Sequence, residues 1–255
     1  MKRKRNALLP MILAGGLAAF PAWCHAADAA DWSYTGPKGP ARWGKLNKGY
    51  ALCAQGSAQS PIDIPDANVR KGDLPPILFN YKPSSLKIVD DGRGIRVDYA
   101  PDSWITVAGQ RYELVGFSFR KPSEHKIDRK GREMEVQLVH RDKDGKLAVV
   151  AVLLDPGKEN PVLKTLWTHL PLAKGRESVV DAVKFNAVGL LPPSKDYYTY
   201  AGSLTTPPCT EDVTWMLLQT PVPVSTEQIA RFTRSYPMNA RPPQPLNDRD
   251  LQGSR

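Results

Sequence analysis

The chain has 255 residues, a formal charge of +9 and a hydrophobic fraction of 41%. This length is enough for one large domain with its own core, and all-β domains commonly reach this size undivided. Lysines and arginines are scattered among 26 acidic residues, which disfavours a nucleic-acid-binding protein. An anionic small molecule or polysaccharide is the partner that we expect instead.

Residues 1–26 are predicted to be a secretory signal peptide. Four basic residues precede the apolar stretch Ala7–Phe20, and Cys24-His25-Ala26 supplies a small-x-Ala cleavage pattern. The rival interpretation is a membrane anchor, but the apolar stretch is shorter than the roughly 20 residues that cross a bilayer, so we expect no membrane span. A lipid anchor on Cys24 is disfavoured by the bulky Trp23 before it. Cleavage would remove four basic residues and no acidic ones, which lowers the formal charge from +9 to +5.

Residues 27–255 are predicted to form a single domain of mainly antiparallel strands. The segments Leu86–Val89 and Gly94–Tyr99 flank an Asp-Asp-Gly-Arg turn, which predicts a hairpin. The continuous apolar run Leu147–Leu154 predicts a central, fully buried strand. A further strand is predicted over Val213–Leu218, after the polar loop Gly202–Pro208.

Helices are predicted to be short and peripheral. One candidate covers Pro161–Leu170, and a second covers Ser225–Ser235. The second opens with Ser225 and has a glutamine three residues later, which is the pattern of a capping box.

Cys53 and Cys209 are the cysteines that remain after signal cleavage. An even number of cysteines in an exported protein favours a disulfide between them. The alternative is two buried free thiols, which we consider less compatible with an oxidising compartment.

Strand alternation places polar residues on one face of two middle strands. In Tyr112–Arg120, one face is predicted to carry Leu114, Gly116, Ser118 and Arg120, and the other Val115, Phe117 and Phe119. In the following strand, the predicted polar face carries Glu135, Gln137 and Val139, and the opposite face Met134, Val136, Leu138 and His140. A polar cluster at the middle of a sheet is unusual and marks a candidate site.

Several motifs in a fixed order resemble the α-class carbonic anhydrase family, and in particular its bacterial-type members. They are Gln59-Ser60-Pro61-Ile62-Asp63-Ile64, Phe117-Ser118-Phe119-Arg120, Pro122-Ser123-Glu124-His125, Met134–His140, Gly202–Pro208, Trp215 and Arg241–Asn247. The resemblance implies the fold of that family: mainly β, with a large twisted, mostly antiparallel sheet, short peripheral helices and a conical cleft. It also implies the disulfide Cys53–Cys209 and a periplasmic or secreted location.

The resemblance places Ser118, Arg120 and Gln137 where the family carries three zinc-binding histidines. Serine and glutamine are poor zinc ligands, and a guanidinium has no lone pair and carries a positive charge. Zinc is the cofactor expected for the family, but this chain is predicted to have no cofactor. The three histidines outside the predicted signal are not expected to substitute, because His125 and His140 are predicted to be buried structural residues and His169 to lie at the surface.

Other positions of the family's site are predicted to be retained. By resemblance, Thr205 is the gatekeeper hydroxyl, Glu124 orients it, and Glu135 once oriented a zinc ligand. The apolar wall of the cleft is predicted to consist of Val139, Val149, Leu204, Val213 and Trp215. Arg93 stands where active relatives typically carry a proton-shuttling histidine, and an arginine does not shuttle protons near neutral pH.

The sequence therefore predicts a protein that does not hydrate carbon dioxide and that binds an anion in its cleft. Arg93, Arg96 and Arg120 are predicted to give the cleft its anion preference, with Arg120 replacing the charge of the metal and pairing with Glu124 or Glu135. Two alternatives stay open. One is a zinc-dependent carbonic anhydrase that uses other ligands, and the other is a metal-free enzyme that uses Glu124, Glu135 or Thr205.

Overall fold

The structure is a computed structural model that describes residues 31–255, and the predicted signal peptide over 1–26 lies outside these residues. Strands dominate the described chain. Their bounds are β1 Asp63–Ile64, β2 Arg70–Gly72, β3 Leu78–Asn80, β4 Ser84–Asp90, β5 Ile95–Asp98, β6 Trp104–Val107, β7 Gln110–Arg120, β8 Lys126–Ile127, β9 Met134–Arg141, β10 Leu147–Pro156, β11 Glu177–Phe185, β12 Tyr197–Gly202, β13 Val213–Val224 and β14 Gln252–Ser254.

Helices are short and lie between the strands. The α-helices are α1 Trp43–Leu46, α2 Leu52–Gln55, α3 Pro161–Thr168 and α4 Thr226–Ser235, and the 3-10 helices are Gly36–Lys38, Pro40–Arg42, Lys48–Tyr50, Asp66–Asn68 and Ala187–Leu190. The capping box predicted between Ser225 and Gln228 opens α4. Helix α3 ends two residues before the predicted Leu170, and none of the helices over 31–255 is long and apolar enough to cross a bilayer.

Within residues 31–255, one mixed sheet of twelve strands forms the body of the fold. Its main order is β11-β4-β5-β7-β9-β10-β13-β12-β14-β2. Most neighbours are antiparallel, while β10 pairs with β13 and β14 with β2 in parallel. The predicted hairpin is β4–β5, and the predicted buried strand is β10 at the centre. The prediction of a mainly β, mostly antiparallel sheet is therefore confirmed.

The hydrophobic core covers one face of the central strands. Met134, Val136 and Leu138 of β9 point into it, beside Val150 of β10 and the helices α3 and α4. Because side chains alternate across a strand, the intervening residues of β9 and β10 face the opposite side of the sheet. That opposite face carries the polar residues singled out from the sequence.

The alternation predicted for β7 is wrong at its start. The register between β7 and β9 shifts between Leu114 and Gly116, which identifies a β-bulge at Val115. A bulge inserts one extra residue, so the alternation before it is out of phase with the alternation after it. Leu114 consequently joins the hydrophobic core with Phe117 and Phe119, and it does not share the face of Ser118 and Arg120.

Candidate functional site

Strands β7 and β9 bring the predicted polar residues together. Ser118 lies directly opposite Gln137, and Arg120 lies opposite Glu135. After the bulge these four side chains share one face, so the placement predicted for them by alternation is found in the fold. Arg120 and Gln137 are buried, while Ser118 is half-buried.

Two buried carboxylates, Glu124 and Glu135, lie at this face and are bridged by the amide of Gln137. Its Nε2 atom donates to Glu124 Oε2 at 2.7 Å and to Glu135 Oε1 at 2.9 Å. Glu124 Oε1 also accepts from the backbone N–H of Arg241 at 2.8 Å, and the hydroxyl of Thr205 bonds to the same carboxylate. A buried carboxylate needs such donors, because an unpaired one is costly to remove from water.

Arg120 is the cation of this cluster. Its Nε lies 3.4 Å from Glu124 Oε2, and the two side chains are 10% and 0% exposed. The prediction that Arg120 pairs with a buried carboxylate is thus confirmed for Glu124. The alignment of this contact is not that of a hydrogen bond, and Nε has no hydrogen-bond partner within residues 31–255. Its Nη1 donates to the carbonyl of Phe119 at 3.2 Å.

The two carboxylates differ in their pKa values. Burial raises the pKa of Glu124, and nearby Arg120 offsets only part of that rise, so its pKa stays above the ordinary value. Burial also raises the pKa of Glu135, but His125 and Gln137 lower it by more, so its pKa lies below the ordinary value. For Arg120, burial lowers the pKa, and Tyr34, Glu124, Asp91 and Glu135 raise it by more, which keeps the guanidinium charged.

A hydrogen-bonded chain of buried residues fixes Glu135 from the other side. His125 contacts both carboxylate oxygens, through Nδ1 at 2.9 Å and through its backbone N–H at 2.8 Å. Its Nε2 lies 2.7 Å from the hydroxyl of Tyr200, which lies 2.9 Å from Ser60 Oγ. His125 is therefore a structural residue, as predicted, although Tyr200 and Ser60 were not predicted to be its partners.

The other two histidines lie away from the polar face. His140 is fully buried on the core side, with Nε2 2.7 Å from the Tyr81 hydroxyl. His169 follows α3 and is half-buried, with Nδ1 bonded to the carbonyl of Thr165 at 2.8 Å. Within residues 31–255, no three or more His, Cys, Asp or Glu side chains are arranged to hold a metal ion.

Most of the residues predicted to form the apolar wall lie on neighbouring strands, on the same side of the sheet. Val139, Val149 and Trp215 are in register across β9, β10 and β13, and none of them belongs to the hydrophobic core on the opposite face. Val213 is buried on β13, two residues before Trp215. Leu204 is half-buried on the loop after β12. Trp215 Nε1 donates to the carbonyl of Ser203 at 2.9 Å, which ties this loop to the wall.

An aromatic rim at residues 32–34 was not predicted from the sequence. Arg93 stacks on Trp32, with its guanidinium carbon 4.5 Å from the ring centroid, and its Nε donates to the Trp32 carbonyl at 3.0 Å. The Trp32 and Tyr34 rings meet edge to face at 5.2 Å. The sequence pattern that could have predicted this rim is the group of closely spaced aromatic residues Trp32, Tyr34 and Trp43 after the predicted signal peptide.

The disulfide Cys53–Cys209 fixes the loop that carries Leu204 and Thr205. Its Cα atoms are 5.0 Å apart, and the bridge spans 156 residues of sequence. Arg241 reinforces it, because its guanidinium donates to the carbonyl of Cys53 at 2.9 Å and to Gln59 Oε1 at 2.9 Å. The prediction of a disulfide is confirmed, and the alternative of two free thiols is wrong.

Comparison with known proteins agrees with this architecture. The family model described as eukaryotic-type carbonic anhydrase matches residues 38–255. A carbonic anhydrase of Nostoc sp. is 41% identical over 228 residues, which are 88% of this chain and 86% of the relative. The α-carbonic anhydrase of Thermovibrio ammonificans, solved with the inhibitor sulfanilamide, superposes with a TM-score of 0.84 at 38% identity, over 89% of this chain and 99% of that one.

A second kind of relative has the same fold. The crystal structure of dioscorin complexed with ascorbate superposes with a TM-score of 0.80 at 30% identity, over 88% of this chain and 97% of that chain. Sequence motifs, sheet topology and both comparisons thus lead to one conclusion: the chain belongs to the eukaryotic-type, or α-class, carbonic anhydrase family.

Proposed function

We propose that this chain is an exported member of the carbonic anhydrase family that does not use zinc and that binds a small anion at Arg120. The observation that carries the proposal is the buried guanidinium at the centre of the polar face, whose Nε is paired with Glu124 at 3.4 Å but makes no hydrogen bond within residues 31–255. A buried cation with an unused donor is suited to an anionic ligand.

The donor set at this centre does not fit the zinc ion that the family implies. A catalytic zinc takes three protein ligands, which are histidine nitrogens, carboxylate oxygens or cysteine sulfurs, and keeps one open position. The hydroxyl of Ser118 is a poor ligand, the amide nitrogen of Gln137 already donates to two carboxylates, and the guanidinium of Arg120 repels a metal ion. This chemistry supports the loss of the zinc site, and Arg93 supports the loss of the proton shuttle.

A zinc-dependent carbonic anhydrase is the second candidate, and the names of the similar proteins favour it. The Nostoc relative is named a carbonic anhydrase, and it covers most of this chain. Under this alternative, the chain would bind zinc through ligands other than Ser118, Arg120 and Gln137. A metal-free enzyme is less well supported, because both Glu124 and Glu135 are held by hydrogen bonds.

Dioscorin supports anion binding on this fold, because its crystal structure contains ascorbate. Ascorbate carries one negative charge at neutral pH, as expected for a ligand of a single buried arginine. For this chain, an anionic small molecule or polysaccharide stays the proposed partner class, and a periplasmic or secreted location follows from the predicted signal peptide.

Metal analysis combined with a carbon dioxide hydration assay tests the proposal. The mature protein is purified with and without added zinc. We expect it to contain at least roughly tenfold less zinc than one ion per chain. We also expect it to hydrate carbon dioxide no faster than buffer does. Stoichiometric zinc together with chelator-sensitive hydration would establish the second candidate and refute the first. A displacement assay with anionic polysaccharides and small anions then tests the binding role.

A further inference from the structure

Glu124 and Glu135 receive their hydrogen bonds from groups other than Arg120. Glu124 accepts from the backbone N–H of Arg241, from Gln137 and from Thr205. Glu135 accepts from the backbone N–H and the ring of His125 and from Gln137. Arg120 therefore stabilises Glu124 by charge, and its hydrogen-bond donors are not needed to satisfy either carboxylate.

The guanidinium of Arg120 retains donors for a ligand. Its Nη1 donates to the Phe119 carbonyl at 3.2 Å, and its buried Nε has no hydrogen-bond partner in the described part of the chain. A guanidinium presents its N–H groups in a planar fork, which matches the two oxygens of a carboxylate. Nε lies 3.4 Å from Glu124 Oε2 without forming a hydrogen bond, so a ligand that accepts from Nε adds a hydrogen bond that the protein alone does not make.

The charges around Arg120 limit the charge of such a ligand. Glu124, Asp91 and Glu135 all interact electrostatically with its guanidinium, so one cation faces three acidic side chains. Of the other cations of the cleft, Arg93 is stacked on Trp32, and Arg96 is bound to Asp98 at 2.7 Å. Asp91 is exposed, whereas Glu124 and Glu135 are buried and therefore poorly screened. Each additional negative charge on a ligand adds repulsion from these two buried carboxylates.

We infer that the ligand of Arg120 is a small monocarboxylate, bound through the guanidinium fork in preference to tetrahedral dianions. This inference rests on the proposed function, because it assigns a ligand class to the same metal-free centre. A monocarboxylate supplies two coplanar acceptor oxygens and one negative charge. Sulfate and hydrogen phosphate carry a second charge that the surrounding carboxylates oppose.

The test uses acetate and sulfate as probes of the mature protein at pH 7 and constant ionic strength. Binding is followed by NMR of the arginine Nε–Hε resonances, with the Arg120 signal identified by its loss in Arg120→Lys. Acetate is expected to shift this signal saturably, with a Kd at least about tenfold lower than that of sulfate, in line with the additional repulsion.

Arg120→Lys keeps the charge but removes Nε and the planar fork, so it is expected to weaken acetate binding by about tenfold or more. Arg132→Lys is the matched control, because Arg132 is exposed and paired with Asp155 at 2.8 Å, and it is expected to leave the affinity unchanged. Circular dichroism melting establishes that both variants are folded. For the Lys variant, the affinity is read from acetate-dependent backbone amide shifts.

Sulfate binding as tight as acetate binding would overturn the inference, as would acetate binding that Arg120→Lys leaves intact. If the protein is free of zinc and inactive but shows either result, the monocarboxylate assignment fails while the loss of the zinc site stands. Stoichiometric zinc with hydration activity refutes the proposed function itself. The two failures are therefore distinguishable.

Discussion

Arg120 Nε and Glu124 Oε2 lie 3.4 Å apart on the polar face of the sheet, and both side chains are almost completely removed from water. Removing one partner of a buried ion pair leaves the other charge uncompensated, which typically costs about 3 to 5 kcal/mol. Glu124 keeps its neutral hydrogen-bond donors, so the lower end of this range applies. Arg120 therefore stabilises the negative charge of Glu124, whereas the hydrogen bonds of Glu124 come from other groups.

Arg120→Met is expected to lower the free energy of unfolding by about 3 kcal/mol at pH 7 and by about half as much at pH 5. Burial already raises the pKa of Glu124 in the folded state, and removing Arg120 raises it further. The folded variant then binds a proton that the unfolded chain releases, so its stability falls as the pH rises from the unfolded pKa to the folded one.

Urea unfolding at pH 5 and pH 7 measures this difference. Adding Glu124→Gln to the Arg120→Met variant removes the titrating group, so the extra loss at pH 7 should disappear. An equal loss of stability at both pH values in the single variant would contradict the expectation.

His140 is expected to make the fold sensitive to acid. Burial lowers its pKa to about 3, so the folded protein keeps the ring neutral while the unfolded chain takes up a proton below its ordinary pKa near 6.5. Stability from this group is complete above that pKa and is lost as the pH falls toward the folded value. The loss between pH 7 and pH 5 is about 2 kcal/mol.

The measurement is the free energy of unfolding in urea between pH 7 and pH 5, compared with His140→Gln. The variant is expected to be less stable overall, but its stability should change less with pH over this range. Substituting the half-buried His169 by Gln is the control, and it should leave the pH dependence as it is. If His140→Gln kept the full pH dependence of the wild-type stability, His140 would not be its source.

The disulfide is expected to contribute on the order of 3 to 5 kcal/mol, because it closes a long loop in the unfolded chain. Its ends join the α2 segment to the loop that carries Thr205, so its loss should also loosen that loop. Urea unfolding of the Cys53→Ala/Cys209→Ala variant against the oxidised protein gives the difference. A reducing agent should destabilise the wild type and leave this variant unchanged. Equal stability of the two oxidised proteins would contradict a stabilising role.

Restoring three imidazoles tests whether the rest of the framework still accepts a metal. Positions 118 and 137 lie directly opposite each other, and position 120 lies two residues further on the same face of β7. The variant Ser118→His/Arg120→His/Gln137→His is expected to bind about one zinc per chain, since three histidines suffice for a catalytic zinc site. Metal analysis after gel filtration measures the content, with Arg120→His alone as the control. A folded triple variant without zinc would show that the replaced positions no longer converge.

Local patterns in the sequence predict much of the fold. The Asp-Asp-Gly-Arg turn identifies the β4–β5 hairpin, and the apolar run from Leu147 identifies the central strand β10. The face of Leu114 was predicted incorrectly, because a one-residue bulge at Val115 reverses the alternation without changing the composition of the strand. Bulges depend on pairing between strands, so strand periodicity alone does not locate them.

The candidate site is predictable where it depends on strand register and motif, and less so where distant segments meet. Alternation after the bulge correctly groups Ser118, Arg120 and Gln137. The bond from the Arg241 backbone to Glu124 joins residues 117 positions apart, and the stacking of Arg93 on Trp32 joins the start of the described chain to the turn between β4 and β5. Neither leaves a local pattern, because both arise from tertiary packing.

The neutral hydrogen bonds around the two buried carboxylates also bear on how this fold changes over time. His125, Thr205 and the backbone of Arg241 hold Glu124 and Glu135 regardless of which side chains stand at 118 and 120. Substitution at these two positions therefore alters the charge and hydrogen-bonding groups on the polar face without removing those supports. Such a framework allows one lineage to keep its architecture while exchanging its chemistry, and it offers protein designers a ready location for a grafted centre.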